Sequence, residues 1–259
     1  MTVRDQPWPD RTPCWAELAV PDLEAGRRFY GELFGWRWQV GPEETGFYSE
    51  GLLGGRRAAA LSGVLPDGAA PAWLTFLASS DVRADADRAT ATGATVLAGP
   101  MDVMDFGSMA VLADPTGAAV ALWQAGTSIG AEVVNEPGAM IWNEHLSTRS
   151  ADARAFYRDA FGYGLQDISA EGFDYATLQV DGRDVGGIGG GPHWPQASWA
   201  VYFAVPDTDA AAAAAVRLGG AVVAEPEDTP YGRLAEVTGP FGEHLWLMST
   251  AEPSSAPLA

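Results

Sequence analysis

Residues 15–36 read WAELAVPDLEAGRRFYGELFGW, and residues 142–163 read WNEHLSTRSADARAFYRDAFGY, an offset of 127 residues (142 − 15). Trp73 in AWLTFLASSDV is matched by Trp199 in SWAVYFAVPDT at 126 (199 − 73), and DPTGAAVALW from Asp114 is matched by GPFGEHLWLM from Gly239. A tryptophan start, an FY pair, a second tryptophan strand and a PxG turn recur in one order. A repeat of this length is a duplicated domain, since solenoid repeats run to about 20–50 residues. The reading divides the chain into an arm (1–12), a first domain (13–125), a linker (126–138), a second domain (139–249) and a tail (250–259), which is expected to fray.

Composition agrees with two folded domains. The chain has 259 residues, enough for two ordinary cores. Its 47% hydrophobic content and ten tryptophans exclude disorder. No apolar run approaches the roughly 20 residues of a membrane span, and the start, MTVRDQPWPDRTP, lacks the apolar stretch of a signal peptide. A cytoplasmic location is expected. The single cysteine, Cys14, can form neither an internal disulfide nor a thiolate cluster. A net charge of −19 with no lysine argues against nucleic acid or anionic membrane as partner, because phosphate binding needs concentrated positive charge. A small-molecule partner and a monomer or homodimer remain.

Each half begins with an alternating strand. Ala16, Leu18 and Val20 form one face, and Trp15, Glu17 and Ala19 the other. Asp22 then caps a helix through Phe34, closed by Gly35. Strands are predicted at 46–49, 56–61, 73–78, 95–97, 108–113 and 118–123, with a turn at Pro66–Gly68 and a helix at 82–92. The second half repeats the series, with the polyalanine run 207–220 as its last helix. Trp73 and Trp199 read as core residues.

The motif VPDLEAGRRFYGELFGW, with its D-x-E-x-x-x-x-FY spacing, and the closing DPTGAAVALW resemble the vicinal oxygen chelate superfamily. That superfamily comprises glyoxalase I, fosfomycin and bleomycin resistance proteins and extradiol dioxygenases. The repeated W-x-E opening is similar to actinobacterial two-domain glyoxalase-like proteins. The resemblance implies an α+β fold of four βαβββ modules, whose curved mixed sheets form barrel-like cavities. It also suggests that the first module of one domain faces the second module of the other. Pairing within each domain is the alternative.

Metal-dependent relatives place His, Gln or Glu at the start of the first strand, His at the start of the fifth and Glu in the last. Carried onto this chain, those slots hold Trp15 and Trp142, then Leu74 and Ala200, then Ala121 and Trp246. A divalent ion needs several N, O or S donors at about 2.0–2.5 Å, and these side chains offer none. No metal and no other cofactor are expected. A non-standard site from Glu17, Glu144, His145 and His244 is the alternative.

Cross-domain pairing would join Trp15 and Glu17 to Tyr202, His244 and Trp246, with Met248 beyond them. It would join Trp142 and Glu144 to Leu74, Phe76, Ala121 and Trp123. Aromatic walls with few polar groups suit a flat, largely apolar small molecule. Burial should raise the pKa of Glu17 and of Glu144, fitting either for general acid–base work with Tyr202 and His244. A structural role for both carboxylates, accepting from an indole or a turn, is the competing reading. Arg233 is a further candidate, as partner to an acidic ligand. Asn143, His145 and Ser147 fall on the helix-covered face unless a bulge reverses the strand. The expected function is metal-independent proton transfer (isomerase, cyclase or lyase chemistry) on a small, apolar or aromatic metabolite, such as one of secondary metabolism. The alternatives are a drug-sequestering resistance protein and, third, a metal-dependent glyoxalase or dioxygenase.

Overall fold

A computed structural model describes residues 2–65, 68–191, 194 and 196–249. Pro66 and Asp67 of the expected turn, and the tail 250–259, lie outside the described residues. The N-terminal half runs β1 (Thr2–Val3), β2 (Pro13–Ala19), α1 (Leu23–Phe34), β3 (Arg37–Val40), β4 (Ser49–Leu53) and β5 (Arg56–Ser62). It continues with β6 (Trp73–Ala78), α2 (Val82–Ala91), β7 (Thr95–Val103), β8 (Gly107–Ala113) and β9 (Ala119–Ala125). β10 (Val133–Val134) lies in the linker and pairs with β1. The C-terminal half runs β11 (Met140–Ser147), α3 (Ser150–Phe161), β12 (Gly164–Asp167), β13 (Asp174–Val180) and β14 (Arg183–Gly190). It ends with β15 (Ser198–Ala204), α4 (Thr208–Arg217), β16 (Ala221–Thr229), β17 (Gly232–Thr238) and β18 (His244–Ser249).

The helix boundaries follow from local chemistry. Asp22 accepts a hydrogen bond from Ala25 N at 3.0 Å, and Gly35 ends α1 at φ 74°. Asp207 does the same for the polyalanine helix through Ala210 N at 3.0 Å. β7 runs six residues past the predicted Leu97, because bulges between Val96 and Met101 break its alternation without ending its pairing.

Each half forms one eight-stranded sheet, ordered β3-β4-β5-β2-β6-β9-β8-β7 and β12-β13-β14-β11-β15-β18-β17-β16. Its two modules join where their first strands pair antiparallel, β2 with β6 and β11 with β15. The expected cross-domain pairing is therefore corrected: each concavity belongs to one half.

The modules do meet across the halves, but on the helix side. There α1 packs on α4 and α2 on α3. One buried cluster joins Phe29, Tyr30 and Phe34 to Phe203, Ala212 and Leu245; another joins Leu77, Val82 and Ala86 to Phe156 and Tyr157. Trp73 lies in the first, its ring 5.2 Å from that of Tyr30, and Trp199 in the second, donating to Tyr157 Oη at 2.7 Å.

This shared layer explains the polar face of β11. His145 is fully buried, and its Nε2 lies 3.0 Å from Asp114 Oδ2 and 3.0 Å from Thr116 Oγ1, in the closing turn of the other half. Asn143 meets Thr75 at 3.0 Å. No reversal occurs; the residues face a neighbouring domain. Tyr157 donates to Asp114 at 3.0 Å, and Tyr30 reaches Glu243 at 2.5 Å on the other side of the molecule.

Candidate functional site

In the N-terminal concavity, register places Trp15, Phe76 and Ala121 side by side on β2, β6 and β9, and Glu17 between Ala60 and Leu74. Trp15 Nε1 donates to Tyr48 Oη at 3.1 Å, and that hydroxyl donates to Glu17 Oε2 at 2.9 Å. Trp123 lies further along the same wall, its indole N–H turned to Ser128 O of the linker at 2.9 Å. Two pockets lie where the arm and linker meet this half. One is a 490 Å³ cleft around Arg4, Arg56 and Arg57, the other a 280 Å³ pocket around Trp8, Ala78 and Trp123. Neither is lined by Trp15, Tyr48 or Glu17.

The C-terminal concavity repeats the relay. Trp142 Nε1 donates to Tyr175 Oη at 2.9 Å, and Tyr175 donates to Glu144 Oε2 at 2.6 Å. Here a second phenol, Tyr202, donates to Glu144 Oε1. Its N-terminal counterpart at the same 126-residue offset is Phe76, so only this carboxylate has two phenol donors. Trp246 stacks on Tyr202 at 5.5 Å and 24°, and Met248 and Leu234 pack beside them. The Tyr175 ring reaches Glu144 by lying across Gly187, the β14 residue paired with Glu144. A β-carbon there would stand 1.8 Å from the Tyr175 hydroxyl.

Electrostatics follow from burial. Glu144 is 7% exposed and Glu17 is partly buried. Burial pushes both carboxyls above their ordinary range, although donors from Tyr48 and Ser62, or from Tyr175, Tyr202 and Trp142, pull the other way. Burial and the neighbouring carboxylates push the hydroxyls of Tyr48, Tyr175 and Tyr202 up, so the phenols keep their protons and donate. His244 also faces this concavity, with Nδ1 2.6 Å from Glu236 Oε1. That hydrogen bond pushes the imidazole up, against burial.

The predicted grouping is thus redrawn. Tyr202, His244, Trp246 and Met248 accompany Glu144 and Trp142, not Glu17 and Trp15. Leu74, Phe76, Ala121 and Trp123 accompany Glu17. Arg233 leaves the site altogether: it lies on the helix face of β17, bound to Asp209 at 2.5 Å and to Asp228 at 3.1 Å. Tyr48, Tyr175 and Glu236 were not foreseen. The two tyrosines carried a signal, since they stand 127 residues apart (175 − 48), the offset that relates Trp15 to Trp142 and Glu17 to Glu144.

The family model described as the Glyoxalase/Bleomycin resistance protein/Dioxygenase superfamily matches residues 14–122 and 147–247, most of the chain. The chain belongs to this superfamily. It is 41% identical over 244 residues to the glyoxylase-named protein CFP32 of Mycobacterium tuberculosis, covering 89% of this chain and 92% of that protein. It is 36% identical over 252 residues to the anthracycline biosynthesis protein DauV of a Streptomyces species, covering 89% and 90%. The superfamily fold is shared with the Mn(II)-bound glyoxalase of Novosphingobium aromaticivorans, at TM-score 0.66 and 16% identity over 93% of this chain and 83% of that one. It is shared also with the 2,3-dioxygenase LapB of Pseudomonas sp. KL28, at TM-score 0.65 and 15% identity over 96% of each.

The superfamily implies a metal, and the residues do not fit one. In the C-terminal concavity Trp142 and Trp246 flank Tyr202 on neighbouring strands, and Ala200 stands beside Glu144. Indole and methyl groups occupy the slots. The alternative set disperses, with His145 on the helix side, His244 on Glu236 and Glu17 in the other sheet. Among the described residues no group of three His, Cys, Asp or Glu side chains is placed to hold an ion.

Proposed function

We propose that the C-terminal concavity binds a small planar aromatic metabolite and moves a proton on it, with Glu144 as the proton carrier and Tyr202 as donor to a developing oxyanion. The observation that carries this reading is a buried carboxyl flanked by two phenol donors on an indole wall, where the fold's metal donors have given way to rings. Burial raises the acid above its ordinary range, which makes its neutral form easier to reach, and two phenols stabilise its charged form in turn. The chemistry is of the isomerase, cyclase or lyase type. The likeness to proteins named for anthracycline biosynthesis supports a fused-ring product of secondary metabolism as the ligand. The second phenol donor, Tyr202 in place of Phe76, favours the C-terminal concavity as the working site.

Replacing Glu144 by Gln keeps the shape and removes the exchangeable acid. Turnover of the metabolite should fall by about 10²–10⁴-fold. Its Kd should stay within about tenfold, roughly 1.4 kcal/mol. Unchanged turnover in that variant rejects the mechanism. The recurrence of the Trp–Tyr–Glu relay in both halves favours a second reading, a sequestering protein with two ligand sites. In that case the metabolite quenches tryptophan fluorescence and is recovered unmodified.

A further inference from the structure

We propose that Glu236 is a positioning residue for His244, and that the pair is a second proton-handling site which takes the proton of an acidic O–H group on a planar aromatic ligand. The inference rests on the reading of the C-terminal concavity given above. Glu236 is 9% exposed and pairs with Trp246, which pairs in turn with Tyr202, so the three share one face. A carboxylate can only accept, so its 2.6 Å contact fixes the proton on Nδ1 of His244. The other nitrogen, Nε2, is then a lone-pair acceptor. It has no protein partner among the described residues, and the side chain is 53% exposed.

The fold does not require the pair. At the offset of 125 that relates the closing strands (239 − 114), Glu236 and His244 correspond to Val111 and Ala119. Val111 pairs with Ala121 in the same register in which Glu236 pairs with Trp246. The N-terminal half therefore builds the same strands with apolar side chains, and the dyad is an addition to the half that carries the second phenol.

The spacing suits one ligand touching both sites. His244 stands two residues from Trp246 on β18, and Trp246 pairs with Tyr202 on the next strand, so His244 and Tyr202 are about 8 Å apart, a length that a tricyclic aromatic spans. Such a molecule lying on the Trp246 ring would meet Tyr202 and Glu144 at one end and His244 at the other. At the His244 end the ligand O–H bond breaks heterolytically, the electron pair stays on oxygen, and the proton passes to Nε2. The resulting imidazolium is held by the Glu236 carboxylate, a charge-assisted bond. Glu236 faces the imidazole, and Glu243, on the helix side beside Tyr30, acts on it through space; both favour its protonated form.

Alizarin (1,2-dihydroxyanthraquinone) tests the proposal, since its absorption moves to longer wavelength when a phenol ionises. Bound to the full-length protein, it should show the ionised band at a pH where the free dye is protonated. In Glu236→Gln and in His244→Gln the midpoint of the bound dye's colour change should rise by about 1 unit or more, the effect of removing one opposite charge. A dye that quenches tryptophan fluorescence yet shows one midpoint in all three proteins overturns the dyad and leaves the concavity reading intact. A dye that does not bind the wild-type protein removes that reading, and this proposal with it.

Discussion

Replacing His145 by Leu, the residue at the equivalent position of the first half (Leu18), is expected to lower the unfolding free energy by about 3 kcal/mol or more. The substitution is apolar and of similar volume, so packing alone predicts a small effect. The loss comes from Asp114. Its carboxylate is 4% exposed and receives Thr116 N at 2.8 Å, Tyr157 Oη at 3.0 Å and His145 Nε2 at 3.0 Å. Removing the imidazole leaves a buried charge short of one strong partner, and removing one member of a buried pair costs more than the pair contributes. For a chain of this size the midpoint should fall by roughly 10 °C.

The pH dependence gives a second readout. Burial raises the Asp114 carboxyl, but the hydrogen bond and charge of His145, with the Thr116 donors, outweigh it and hold the group below its usual range. A depressed carboxyl contributes stability that is present above its unfolded pKa, about 4, and is lost as pH falls through the folded value. The His145→Leu variant should therefore lose less stability than wild type on acidification through that window. A variant within 1 kcal/mol of wild type, with an unchanged acid limb, would show that the contact across the halves is incidental.

Gly187→Ala should destabilise the protein by about 2 kcal/mol, although alanine in a strand normally gains roughly 0.5–1 kcal/mol over glycine. The sign is decided by Tyr175, whose hydroxyl and Cζ lie 1.8 and 2.4 Å from where the new methyl would stand. The ring must leave, and a buried acceptor on Glu144 then loses a donor, at about 1–3 kcal/mol. The N-terminal half carries Ala60 beside Glu17, and its relay is longer there, 2.9 Å against 2.6 Å. Chemical denaturation of Gly187→Ala, Tyr175→Phe and the double variant is the check. Strong non-additivity is expected, because the second change removes what the first has already displaced. A Gly187→Ala protein more stable than wild type would mean that the phenol does not lie on this strand.

Much of this was legible in the sequence because repetition and alternation are local signals. The period of two placed Trp15 with Glu17 and Trp142 with Glu144 on the cavity face, and placed His145 opposite. Alternation assigns a face but not a neighbour. Whether β2 runs beside β6 or beside β15 depends on how sheets close, and both arrangements bury the same residues. The error in grouping Tyr202 and His244 with Glu17 came from that degeneracy. Asp114, the partner of His145, was hidden for a related reason: it reaches the imidazole from a turn in the other half. Tyr48 falls inside the strand predicted at 46–49, just ahead of β4 at Ser49, and Tyr175 lies on β13; both were missed because no local signal shows that their hydroxyls reach a carboxylate on another strand. Glu236 lies on β17, whose sequence GRLAEVT gives no sign that the chain's next strand brings a histidine to it.

Metal content is the most direct test of the account, because indole and methyl groups of Trp142, Ala200 and Trp246 stand at the positions that correspond to the superfamily's metal slots, beside the phenol-bound Glu144. Protein purified without chelator, then equilibrated with Mn, Fe, Ni and Zn and desalted, should retain far less than one equivalent of each, and Glu144→Gln should retain the same trace. One tightly held equivalent of any of them, lost in Glu144→Gln, would contradict the account.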